Sequence, residues 1–387
     1  MAQRELDDKE RAAWLRLSRS RGVGPQTFSQ LLRRFGSASE ALAGTEELAR
    51  AAGRKGLVLA DEAAVEAELS RGARLGVKFL ASCEPAYPAA LRAIPDPPPV
   101  IGVRGHLRML SANGVGIVGA RNASAAGRRM AATLAQDLGK GGLVVISGLA
   151  RGIDGAAHEA ALPSGTVAVV AGGLDRVYPP EHDRLMAAII EQGAVVSEMP
   201  LGHTAKARDF PKRNRIVSGL SLGVIVVEAA ERSGTLITAR MAAEQGREVF
   251  AVPGSPLDPR CHGTNSLIRH GAILIQNAED VLENVGSLIA RVAEDETEYE
   301  SAQSDLPDAE GRRALSDYVL SLLGYAPVHI DVLVREAGES HAAIADALLE
   351  LVLTGRAAEM SGGLYARGTD EAALEPAEGG RMRSSMY

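Results

Sequence analysis

Over the first 80 positions apolar residues recur at helical spacing. Trp14, Leu15 and Leu17 belong to one helix, and after Arg21-Gly-Val-Gly24 a second opens at Pro25 with Phe28, Leu31, Leu32 and Phe35 along it. The pattern predicts a helical domain over 1–80. It breaks at Ala86–Leu91 and Ile94–Val100, where prolines exclude helix and interrupt a central strand, so 81–112 reads as a proline-rich connector. From about 113 short β-branched runs alternate with helical segments: Val115–Val118, Leu143–Ser147, Thr166–Ala171, Ala194–Ser197, Val224–Glu228, Glu248–Val252 and Ala272–Leu274. Apolar runs separated by helices predict a doubly wound, mostly parallel Rossmann-like α/β sheet over 113–290, with ligands at the carboxyl ends of its strands. Glu294–Glu310 then holds eight acids and no Lys or Arg, which marks 291–311 as a solvated linker. Leu315–Leu323, Ile330–Ala337 and His341–Thr354 read as three helices, the last capped by Ser340 and stopped by Gly355; a hairpin over 356–367, turning at Gly362-Gly363, completes a winged-helix-like domain at 312–368. Residues 369–387 read as a disordered tail.

Composition narrows the partners. The 387 residues carry a net charge of −7, so any nucleic acid must bind at a local basic patch and not through an overall cationic field. One Trp, seven Tyr and five Phe leave few rings for base stacking. Cys83 and Cys261 form no Cys-x-x-Cys pair, so neither a zinc site nor a disulfide framework is indicated. No basic-then-apolar leader or long apolar run is present, and a cytoplasmic protein without membrane contact is expected. The third helix of the C-terminal domain carries Asp346 and Glu350 without a Lys or Arg. Reading a groove needs cations near phosphates, so this domain is expected to contact protein or to be vestigial. At the other end, Gly22-Val-Gly24 between two helices resembles the turn of helix-hairpin-helix (or SAM-like) modules, with Arg19, Arg21, Arg33 and Arg34 nearby; a plain helical bundle fits equally.

The densest chemistry lies in Phe210-Pro-Lys-Arg-Asn-Arg-Ile-Val-Ser218, one aromatic followed by three cations. Pro211 suits a first helical turn, which predicts a helix over Lys212–Leu220 with its cations at an anion-attracting end. Ile216, Val217 and Leu220 share one face; Asn214, Arg215 and Ser218 lie on the other, and Arg213 can reach beyond the helix start. Gly114-Val-Gly-Ile-Val-Gly119 matches the dinucleotide fingerprint only literally, because its apolar residues are the strand itself. The real loop is Gly119–Ser124, with Ser124 as helix cap and Arg121 at the strand end, and it offers no acidic clamp for a ribose. Ser147–Gly155, Ala171–Pro179 and Arg232–Thr235 end other strands in glycines and hydroxyls, and together they predict a shared phosphate site. His158, His182, Asp154, Asp175 and Glu228 come with no nucleophile elbow, metal spacing or Walker lysine, so the sequence reads as a binding protein, not an enzyme, with no cofactor and no metal.

Over about 85–285 the chain resembles the DNA-processing protein A family (DprA, also called Smf). The resemblance rests on Tyr87-Pro88…Leu91…Asp96-Pro97-Pro98, Val118–Ser124, Ser147–Asp154…His158, Ser197-Glu-Met-Pro200, Phe210–Ile216, Ser233-Gly-Thr235 and Val252-Pro-Gly254. It implies a Rossmann-like single-stranded DNA binder that protects incoming DNA and loads the RecA recombinase during natural transformation, working as a homodimer through the Rossmann-like domain. By that resemblance Arg121 holds a backbone phosphate, Ser147 and Gly148 supply donors, Phe210 stacks a base, and Lys212, Arg213 and Arg215 form an electropositive rim. Gly234 and Thr235 approach the strand, and Ser124, Gly172 and Asn214 complete the expected site. One departure matters: members often carry Lys or Arg directly after the Tyr-Pro pair, whereas Pro180-Glu181 follow Tyr178-Pro179 here, leaving Lys206 and Arg208 to compensate. The alternative is a nucleotide phosphoribohydrolase-like enzyme of the lysine-decarboxylase-like group, although Glu231–Thr238 lacks the glycine pair and final Glu of Pro-Gly-Gly-x-Gly-Thr-x-x-Glu. A third reading is a protein-interaction scaffold with an incidental basic pocket.

Overall fold

The structure, a computed structural model, describes residues 3–52, 58–295, 309–360 and 363–368. The expected tail, Gly362 and most of the acidic linker lie outside these residues. Contacts divide the chain into two units, one of 1–19, 24–28 and 60–301 and one of 20–23, 29–59 and 302–387.

The helical N-terminal region comprises α1 (Asp8–Arg19), α2 (Pro25–Phe35), α3 (Ala38–Ala52) and α4 (Glu62–Arg74). Trp14 is fully buried against Phe28, ring centroids 4.9 Å apart. Arg19 is spent on Glu68, 3.0 Å away, and on the carbonyl of Glu198 at 2.9 Å.

The connector expectation needs correction. β1 (Lys78–Ala81) begins inside the segment assigned to the helical domain, and α5 (Ala89–Arg92), β2 (Val100–Gly105) and α6 (Arg108–Ser111) follow. The prolines end at Pro99, just before a run of apolar residues, so β2 has every N–H it needs and is buried between two partners. β3 (Gly114–Val118), α7 (Ala125–Lys140), β4 (Val144–Ser147), α8 (Ile153–Ala161), β5 (Thr166–Val169), α9 (Asp183–Gln192) and β6 (Ala194–Ser197) build the first half of the sheet. α10 (Asp209–Leu220), β7 (Gly223–Val226), α11 (Thr235–Glu244), β8 (Glu248–Ala251), α12 (His262–Arg269), β9 (Ile273–Leu274) and α13 (Ala278–Asp295) complete it. The nine-stranded order is β1-β2-β6-β5-β4-β3-β7-β8-β9. Strands β3 to β9 pair in parallel, while β1 with β2 and β2 with β6 pair antiparallel.

Helices cover both faces. Ile216, Val217 and Leu220 of α10 join Tyr87, Leu91 and Ala239 on one side; Leu134 of α7, Ile153 of α8 and Val281 of α13 pack on the other. The chain winds outward from β3 to β6 and then returns to the opposite side of β3 with β7. Such a reversal leaves a crevice outside the carboxyl ends of the two strands, the usual ligand position in open α/β sheets.

The second unit holds α14 (Ala309–Leu322), β10 (Val328–His329), α15 (Ile330–Ala337), α16 (His341–Leu353), β11 (Ala357–Met360) and β12 (Leu364–Arg367), with strand order β10-β12-β11. The cap on α16 is Ser340, whose hydroxyl accepts from the N–H of Ala343 at 3.2 Å. In the same unit Arg34 of α2 lies 3.8 Å from Asp346 and 3.5 Å from Glu350, so both acids of α16 face a cation of this chain.

Candidate nucleic-acid interface

At the carboxyl ends of β3 and β7 a cleft of about 880 Å³ opens, lined by Arg121, Asn122, Tyr178, Phe210, Arg213, Asn214, Ser233, Gly234, Thr235 and Arg260, among others. A smaller recess of about 40 Å³ shares Arg121, Tyr178, Phe210 and Arg213 with it and adds Gly148, Arg151, Gly172 and Arg176. The centre of both is one ring. The Arg121 guanidinium sits over Phe210 at 4.8 Å, Arg213 at 5.9 Å, and Tyr178 meets it at 5.7 Å with planes tilted by 60°. Cations are drawn to the negative face of an aromatic ring, so Phe210 gathers two arginines that would otherwise repel.

α10 starts two residues before Pro211, at Asp209, and is buried on nearly every side. Proline in a first turn loses no helical hydrogen bond. Asp209 is itself buried and takes hydrogen bonds from His203 Nε2 and the Lys206 N–H, each at 2.8 Å. Burial pushes its pKa up, but these donors win and hold it below the usual carboxylate value. Three cations follow and take three different roles. Lys212 is exposed. Arg213 is buried, donates from Nη1 to the Val169 carbonyl at 3.1 Å, and lies in space that only a glycine at 148 leaves free, because a Cβ there would overlap its guanidinium. Burial pulls the pKa of Arg213 below its ordinary value, Asp154 opposes that shift, and Arg121 adds to it. Arg215 points away from the cleft: it pairs with Glu198 and bonds the Asp96 carbonyl, so the expected rim loses this residue. The Arg215 side of α10 is thus covered by protein while Phe210, Arg213 and Asn214 reach the cleft, a division that a polar stripe in the sequence does not disclose.

The loop after β4 also differs from expectation. The hydroxyl of Ser147 donates to the Ile117 carbonyl at 2.5 Å, and the Gly148 N–H donates to Asp154 at 3.1 Å. Neither is free to bind an anion. Asp154 ties the loop to the start of α8 and also accepts from the Ala150 N–H at 3.4 Å. Ser124 is the cap of α7, accepting from Gly127 N at 2.8 Å, while its own O–H donates to Glu228 at 2.5 Å and its N–H to the same carboxylate at 2.9 Å. Glu228 therefore occupies the helix N-terminus where a Rossmann fold would hold a pyrophosphate, and Arg121 is the one cation in the loop that precedes it.

Among the other expected residues, Gly172 backs the small recess and Asn214, Gly234 and Thr235 line the cleft. Thr235 donates to the Gly119 carbonyl at 3.1 Å, joining the loops after β3 and β7. Lys206 and Arg208 are exposed beside Ala205 and Ala207, which line the cleft in their place. Tyr178 and Arg260 also line the cleft: the sequence places Tyr178 in the Ala171–Pro179 loop after β5 without giving it a role, and no local pattern marks Arg260. Each of the five acids and imidazoles that the sequence offers for acid–base work has a partner within the fold, Asp154 among them through the Gly148 N–H. His158 bonds Thr166, Glu228 holds Ser124, Asp175 pairs with Arg71, and His182 reaches the Leu149 carbonyl at 3.0 Å. No group of three metal-ligating side chains occurs among the described residues, and no described helix is long and apolar enough to cross a membrane.

Fold and site together define a Rossmann-like protein with a cationic, aromatic cleft at the switch point of its sheet. Residues 78–286 match the family model of the DNA recombination-mediator protein A, 8–70 a DprA-like N-terminal HHH domain, and 302–363 a DprA winged helix domain. The chain belongs to the DNA recombination-mediator protein A family. It is 43% identical to Protein Smf of Escherichia coli over 284 residues, covering 72% of this chain and 74% of that one. The X-ray structure of DNA processing protein A from Streptococcus pneumoniae superposes with a TM-score of 0.61 at 32% identity, covering 72% of this chain and 98% of that one. A DNA processing protein A from Helicobacter pylori, solved for its single-stranded DNA binding mode, aligns at 29% identity with a TM-score of 0.50, covering 56% of this chain and 96% of that one.

Proposed function

We propose that the chain binds single-stranded DNA in the cleft between the β3, β5 and β7 loops and acts as a recombination mediator, performing no chemistry on the strand. The observation that carries this reading is the cluster of Arg121, Tyr178 and Arg213 around Phe210, which puts phosphate-binding charge beside aromatic surface in one open groove. Family membership and the H. pylori relative support it. An extended single strand fits because its bases are free to turn toward a ring, whereas a duplex offers stacked bases and a wide charged cylinder. Delivery of RecA to the bound strand, a homodimer formed through the Rossmann-like domain and a cytoplasmic setting belong to the same proposal.

The test is a gel shift with matched single- and double-stranded oligonucleotides over a salt series. Tighter binding of the single strand is expected, weakening as salt rises. Arg121→Ala should flatten the log–log slope by about 0.7, the loss of one phosphate contact on a single strand. Equal affinity for both forms, or an unaltered slope in the variant, would overturn the assignment. Faster RecA filament formation on DNA precoated with a single-strand-binding protein tests the mediator role. Release of free base from nucleoside monophosphates would favour the hydrolase alternative.

A further inference from the structure

We infer that Tyr178 supplies the ring on which a base stacks, and that Phe210 is a pedestal orienting the Arg121 guanidinium. The assignment rests on the single-stranded DNA reading and divides the roles within its site. Phe210 is partly buried and surrounded: Arg121 lies 4.8 Å above its ring, Arg213 is 5.9 Å from the centroid, and Tyr178 leans on it at 5.7 Å. A stacked base needs an open face about 3.5 Å from the ring plane, and on one face of Phe210 the Arg121 guanidinium already fills that space while Arg213 and Tyr178 crowd the ring from other directions. Tyr178, in contrast, keeps 48% of its surface exposed and lines both the cleft and the small recess. Its tilted contact with Phe210 fixes the ring while leaving area toward the groove, and Pro179 on the same loop is buried and anchors it. Arg121 itself is exposed and its side chain makes no hydrogen bond or ion pair among the described residues, so the Phe210 face is the contact that holds its head in place. Removing the Phe210 ring thus acts through Arg121 on phosphate binding, and removing the Tyr178 ring acts on base binding.

The experiment compares full-length protein on labelled oligo(dT) and on an abasic strand of equal length, over a salt series. Wild-type protein is expected to prefer the base-bearing strand by about tenfold, the scale of one stacked base. Tyr178→Phe should keep that ratio, and Tyr178→Ala should bring it near one without altering the salt slope. Phe210→Leu, which retains apolar bulk, should weaken both strands equally and flatten the slope as Arg121→Ala does. A ratio preserved in Tyr178→Ala and lost in Phe210→Leu overturns the assignment alone. Wild-type protein that binds neither strand overturns the DNA reading and this assignment together.

Discussion

His158 shows how a residue that suggests chemistry in sequence can be fixed by packing. It is fully buried, with Nδ1 2.8 Å from the Thr166 hydroxyl, which itself donates to the Val145 carbonyl at 2.6 Å. The one hydroxyl hydrogen is thereby used, so Nδ1 must be the donor to Thr166 and the ring is held as a defined neutral tautomer. Burial lowers its pKa from 6.5 to about 3, and the charges of His182 and Arg213 push the same way. A depressed folded-state value means the unfolded chain takes up the proton first as pH falls. The stabilisation is complete above pH 6.5 and is lost progressively toward pH 3, at up to about 1.4 kcal/mol per unit. Urea unfolding of wild-type and His158→Gln protein at a series of pH values should show the gap between them closing on acidification. A gap that stays constant would mean the imidazole carries no such linkage.

At the scale of elements, the loop after β5 places an acid where the family resemblance leads one to expect a cation. Glu181 pairs with Arg151, and that arginine lines the small recess. The pair is exposed, so a phosphate can compete for the arginine, but it must displace the carboxylate first. Glu181→Gln should therefore strengthen binding of single-stranded DNA and steepen its log–log salt slope by about 0.7, with Arg151→Ala abolishing the gain in the double variant. An unchanged slope in Glu181→Gln would show that Arg151 does not reach the strand. The parallel strands β3 to β9 were legible in sequence because each is a β-branched run bounded by helix. β1 and β2 were not, since antiparallel strands appended beside β6 break that alternation and follow a proline stretch. The site was legible in its parts: Phe210, Arg121, Asn214 and the Gly234-Thr235 turn do line one cleft. Spacing could not show that Arg215 finds Asp96, 119 residues away, or that Gly148 clears room for Arg213. A helical wheel gives direction, and only the neighbours decide whether that direction meets solvent.

For the whole molecule the question is where a protein of net charge −7 admits a polyanion. The first unit answers with arginines grouped at the switch point. The second unit presents a winged helix whose α16 contains no Lys or Arg and whose two acids face Arg34. A recognition helix docked in a groove would bring those carboxylates against phosphates, while here they are already balanced by a cation within their own unit. The side chains of Arg34, Asp346 and Glu350 are 19%, 13% and 22% exposed, so the cluster is partly desolvated and contributes on the order of 1 kcal/mol. Neutralising both acids, Asp346→Asn with Glu350→Gln, should lower the melting temperature of the full chain by a few degrees through the loss of Arg34's partners. Single-stranded DNA affinity and its salt slope should remain within about twofold and about 0.3 of wild type, because no repulsive charge has been removed from the path of the strand. If the double variant instead binds markedly tighter with a steeper slope, α16 lies close to the DNA, and the winged helix shares the interface now assigned to the sheet alone.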